Sequence, residues 1–82
     1  MLERKGFETL IASPPDYDEL VAEIYYDGLF VALVSQEHGK GLFDIETPGP
    51  NLVEREVARK VNLDGFRKAV EEACRRLRGE EP

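Results

Sequence analysis

With one cysteine, one histidine and no tryptophan, the chain is short of the side chains from which several chemistries are built. Cys74 alone closes no intramolecular disulfide, and His38 and Cys74 together are too few for a zinc or other nitrogen- and sulfur-rich site within one chain. No run approaches the roughly 18 apolar residues of a membrane span. The opening Met1-Leu2-Glu3-Arg4-Lys5-Gly6 lacks the apolar stretch of a secretory signal, so a cytoplasmic protein is expected. Lysine and arginine number 11 against 17 acids, a net charge of -6. That balance argues against general nucleic-acid binding, which needs cations to displace phosphate counterions. No cofactor is expected either.

What is present fits one folded domain spanning residues 1–82: hydrophobic residues make up 41% and charged residues 34%. A chain of this size buries only about 60% of its unfolded surface, so self-association would add welcome stability. The charge is unevenly spread. Residues 7–54 hold ten acids against Lys40 alone, whereas from Arg55 onward eight bases face six acids.

Local patterning predicts an α+β fold, a four- to five-stranded antiparallel meander with one C-terminal helix packed on it. Gly6 to Ala12 reads as a first strand, ended by Ser13-Pro14-Pro15-Asp16, where two prolines remove backbone donors. Asp27-Gly28 between Glu19–Tyr26 and Leu29–Gln36 signals a two-residue hairpin, because a type I′ turn needs positive φ at both central positions. The register expected from that turn pairs Tyr26 with Leu29, Tyr25 with Phe30, Ile24 with Val31, Ala22 with Leu33 and Val21 with Val34. Both faces of the hairpin then come out largely apolar, one with Ala22, Ile24, Val31 and Leu33, the other with Val21, Tyr25, Phe30, Ala32 and Val34. One helix cannot cover both.

A third meander strand is expected over Leu42–Glu46, with the face of Phe43 and Ile45 left open by the uncertain length of the preceding loop. Val57–Val61 reads as a charged edge strand. The helix opens at Asn62 as N-cap, runs an apolar stripe through Leu63, Phe66, Val70, Ala73 and Leu77, carries Arg75, Arg76 and Arg78 near its end, and stops at Gly79.

Few constellations here carry chemistry. His38, between Glu37 and Gly39, reads as an exposed turn residue, and neither Ser13 nor Ser35 lies in a nucleophile-elbow sequence. Gly39-Lys40-Gly41 lacks the following Ser/Thr and helix of a phosphate-binding loop. Glu23, Asp44 and Glu46 lie on strands where two carboxylates could converge, yet acid-base work needs a partly dry pocket that a small core leaves little room for. Tyr25 and Phe30 on an acidic region point instead to a protein-binding surface, since aromatics are enriched in interface cores and carboxylates steer a basic partner. The residues expected to bind that partner are Asp16, Asp18, Glu19, Glu23, Tyr25 and Phe30. The alternatives are a homo-oligomer, a homodimer first, that buries the second sheet face, and a small enzyme built on Glu23, Asp44 or Glu46.

The stretch Glu23-Ile24-Tyr25-Tyr26-Asp27-Gly28-Leu29-Phe30-Val31-Ala32-Leu33-Val34-Ser35-Gln36-Glu37 resembles small uncharacterised bacterial proteins. Size, acidity and the meander-plus-helix plan are similar to those of some bacterial toxin-immunity proteins. That resemblance implies a non-catalytic protein that occludes a cognate toxin, with Asp16, Asp18, Glu19 and Glu23 answering basic residues on it. It transfers no site.

Overall fold

The computed structural model describes residues 6–48 and 57–79. They form a four-stranded antiparallel sheet, β1 (Phe7–Ala12), β2 (Val21–Tyr26), β3 (Leu29–Ser35) and β4 (Asp44–Glu46), in the spatial order β1-β2-β3-β4, with helix α1 (Leu63–Leu77) packed on one face. The fold is therefore the α+β meander expected, at four strands. The predicted edge strand over Val57–Val61 shrinks to a single parallel bridge between Val57 and Phe30, in which the Ala58 amide donates to the Phe30 carbonyl at 2.9 Å. Lys60 and Val61 carry on without strand pairing.

The hairpin turn follows from its dipeptide. Asp27 takes φ 52° and Gly28 φ 85°, the left-handed pair a type I′ turn requires. Tyr26 pairs with Leu29 and Tyr25 with Phe30 as the turn dictates, and then the ladder slips. Ile24 pairs with Ala32, Glu23 with Leu33 and Ala22 with Val34, which leaves Val31 as an extra residue in a β-bulge. One inserted residue exchanges the faces of everything beyond it. Ala32 and Val34 thus join Ala22 and Ile24 under the helix, and Leu33 moves to the opposite face, the reverse of the assignment a regular hairpin gives.

Ala22, Ile24 and Val34 from the sheet meet Ala69, Ala73 and Leu77 from α1, with Phe7, Ile11, Val31, Phe43, Val70 and Cys74 partly buried around them. The helix stripe is rotated from the expected one, because Ala69 is buried and Leu63 is 77% exposed. Small residues at Ala69 and Ala73 let the helix sit close to the strands. At Gly65 the approach is tighter still, since a Cβ there would lie 2.7 Å from Cε2 of Phe7. Asn62 caps the helix, its Oδ1 accepting from the Gly65 amide at 2.7 Å, and Gly79 takes φ 82° just past the end.

The Asp27 amide donates to the Gly6 carbonyl at 3.1 Å. Alternation along an antiparallel pair then turns the backbone groups of Phe7, Thr9 and Ile11 outward, to the free edge of β1. There the Arg76 guanidinium, from the flank of α1, donates to the Thr9 carbonyl at 3.0 Å.

Candidate protein-binding surfaces

Across the sheet from α1, the strands present two rows of side chains. Glu8, Tyr25 and Phe30 form one by direct pairing, and Leu10, Glu23, Leu33 and Glu46 form the next. Tyr25 and Phe30 stand edge to face with ring centroids 5.8 Å apart, and the Tyr25 hydroxyl donates to Glu23 Oε1 at 3.1 Å. Burial, first, and then that hydrogen bond and the charges of Glu23 and Glu8 push the Tyr25 phenol above its ordinary range. All of Glu23, Tyr25 and Phe30 are half-buried, and Leu10 beside them is exposed. Three of the six residues expected to bind a partner are thereby brought together on one face, with Glu8 and Leu10 as neighbours that sequence reasoning left out. Period-two alternation in β1 would have supplied both.

Asp16, Asp18 and Glu19 lie elsewhere, on the loop that joins β1 to β2, and all three are exposed. That loop is clasped by two carboxylates. Glu37 accepts the amides of Asp18 and Glu19 on its two oxygens, each at 2.9 Å, and these bonds hold its pKa below the usual glutamate value. Glu46, on the far strand, accepts from the Tyr17 hydroxyl at 2.7 Å and from Ser35 Oγ at 3.1 Å. The bond to Glu46, and then partial burial and the Glu46 charge, push Tyr17 up to about 12. A loop residue between β1 and β2 thus reaches the opposite edge of the sheet, on the face where Val21 and Ser35 are buried. Buried Gln36 is also satisfied, donating to the Leu20 carbonyl at 3.4 Å and accepting from the Gly41 amide at 3.2 Å.

The chemistry-bearing residues do not converge. Leu33 stands between Glu23 and Glu46 in their row, so about 10 Å, two strand spacings, separates the backbones that carry the two acids. His38 Nε2 lies 3.2 Å from Asp44 Oδ2 with both side chains exposed, a turn contact. Among the described residues no three His, Cys, Asp or Glu side chains are grouped to hold a metal ion, and no helix is long and apolar enough to cross a membrane.

A concavity lies on the helix face, where sequence reasoning placed nothing. Strands about 4.8 Å apart make a four-stranded sheet wider than the roughly 10 Å of one helix. Helix α1 lies over β1 and β2, touches β3 less and makes no close approach to β4. A trough of about 470 Å³ is left beside it, floored by Val34, Phe43 and Ile45 and walled by Leu63, Phe66, Val70 and Cys74, with Asp44, Arg67 and Glu71 at its border. Arg78 stands over the Phe43 ring, 5.6 Å from its centroid. Burial raises the Cys74 pKa, with Arg78 working weakly against it, so the thiol in this wall stays neutral at physiological pH.

No family model, curated protein or solved structure matches this chain. Function must be read from these two surfaces: an aromatic pair among carboxylates on one face, and an apolar trough on the other.

Proposed function

We propose that the protein is a small non-catalytic binding module that recognises a basic protein through its helix-free sheet face, acting by occlusion as an immunity-type protein would. The observation that carries this reading is the edge-to-face pair of Tyr25 and Phe30 set beside Glu8 and Glu23 with Leu10 exposed. An apolar centre with an acidic surround is how an interface core and its steering rim are arranged. The clasped loop adds Asp16, Asp18 and Glu19 as further negative charge held in one conformation, which lowers the ordering cost of binding.

The test is affinity capture of the tagged protein's partners from host lysate at low and moderate salt, followed by titration of the captured species against single alanine variants. A basic partner is expected whose binding weakens as salt rises. Tyr25→Ala or Phe30→Ala should each cost at least about 1 kcal/mol of binding. Uniformly neutral substitutions across Glu8, Glu23, Tyr25 and Phe30 would remove this surface from consideration.

A further inference from the structure

The trough beside α1 bears on a different partner from the acidic face, and its border suggests which. Of the charged side chains there, Arg67 pairs with Asp64 one turn back on its own helix, while Glu71 has no ion pair or hydrogen bond among the described residues. A carboxylate at the lip of an almost wholly apolar trough is where a cation from an incoming surface gains most. The helix itself carries such a cation one turn away. Along α1 the charges run in blocks: Asp64, then Arg67 and Lys68, then Glu71 and Glu72, then Arg75 and Arg76. Set beside a reversed copy centred between Ala69 and Val70, blocks of opposite sign lie at the same level along the axis, Asp64 with Arg75, Arg67 with Glu72 and Lys68 with Glu71, and of these only Arg67 and Glu71 border the trough. A half-step shift sets Arg67 against Glu71. On the trough-side flank the charges that an antiparallel pair of these helices matches are Arg67 and Glu71, although the chain as a whole is strongly acidic.

We infer that a second copy of this chain closes the trough. The two copies pack about a twofold axis with the trough-side flanks of α1 antiparallel, Arg67 of each beside Glu71 of the other. Leu63, 77% exposed at the N-terminal end of the trough wall, is the side chain that enters the partner's trough and covers Ile45, itself 48% exposed. The order of charges favours a self-complementary contact over a small apolar ligand, which would leave Glu71 unanswered. The dimer leaves both helix-free faces outward, so it stands independently of the binding reading given above.

The experiment is analytical ultracentrifugation of the full chain from about 1 to about 200 µM. The wild type is expected to show a monomer–dimer equilibrium. Arg67→Glu and Glu71→Arg, each alone, are expected to weaken the dimer about tenfold or more, and the double variant Arg67→Glu/Glu71→Arg to restore it. Leu63→Lys should also dissociate the dimer, and its exposure makes loss of folding an unsuitable explanation; circular dichroism of each variant checks this. A wild-type monomer throughout the range would overturn the inference, whether or not native mass spectrometry finds a small apolar ligand in the trough. So would a dimer indifferent to all three single substitutions, since another face would then be holding it.

Discussion

Beneath α1, Ala22 and Ile24 of β2 are closed against Ala69, Ala73 and Leu77, and both strand residues have no exposed surface. Further along the same face and in the same pleat, Val34 of β3 is still buried at the margin of the trough, whereas Ile45 of β4 is half exposed on its floor. The two halves contain comparable aliphatic residues. What separates them is the reach of a single helix, so burial in this fold is set by where α1 lies and only secondarily by how apolar each strand is. Ile24 and Ile45 make the contrast concrete. They are the same residue type on the same face, one inaccessible and the other half exposed.

The strongest way to sharpen the contrast is Ile24→Ala, which removes packing from the covered half. It is expected to cost about 3 kcal/mol in urea denaturation, and a loss below about 1 kcal/mol would mean that the covered half is not the core. Gly65→Ala tests why the helix sits there. The added methyl must push against the Phe7 ring, and a net loss of about 1 kcal/mol is expected after the gain in helix propensity is subtracted. In a Phe7→Ala background the same change should become neutral or stabilising, a coupling that the double-mutant cycle reads directly.

Ile45→Ala supplies the other half of the comparison. In dilute monomer it should cost less than about 1 kcal/mol, because little surface is recovered from water there. If it matched Ile24→Ala, the trough would already be filled in the monomer. The smallest effect is expected on the opposite face, at Glu37. Because the folded protein holds this carboxylate below its ordinary 4.5, the clasp contributes above that pH and is lost as pH falls further. Amide proton shifts of Asp18 and Glu19 should titrate together with a midpoint under 4.5, and Glu37→Gln should abolish the transition. A midpoint at or above 4.5 would show that the two amides do not hold the carboxylate.

Much of this architecture was legible in the residues. Asp27-Gly28 located the hairpin, Asn62 and Gly79 bounded the helix, and Pro14-Pro15 ended the first strand, because each of these signals is local and set by backbone sterics. The bulge at Val31 was not. Val31, Ala32, Leu33 and Val34 are all apolar, so a shift by one residue exchanges apolar for apolar and leaves no trace in the alternation. That one slip decided which of them joined the core and carried Ile45, through its pairing with Val34, onto the helix face. The candidate site shows the same division. Glu23, Tyr25 and Phe30 lie close in sequence and hairpin pairing gathered them, whereas the bonds from Glu37 to Asp18 and Glu19, and from Tyr17 to Glu46, cross 18 to 29 residues of chain. The trough was invisible for a further reason: it arises from the width of the sheet relative to the helix, which no single segment records.

The guanidinium of Arg76 on the Thr9 carbonyl has a consequence for behaviour at high concentration. Exposed strand edges invite other chains to add on, and among the described residues the sheet ends at β1 on one side and β4 on the other. At β1 the outward carbonyl in the middle of the edge is already taken, so an incoming strand must first displace a cation anchored on the helix. At β4 the edge is three residues long, and antiparallel pairing with another β4 about Ile45 would set Asp44 against Glu46 twice over. Association by the edges is discouraged at both ends of the described sheet, so growth into filaments by strand addition is disfavoured.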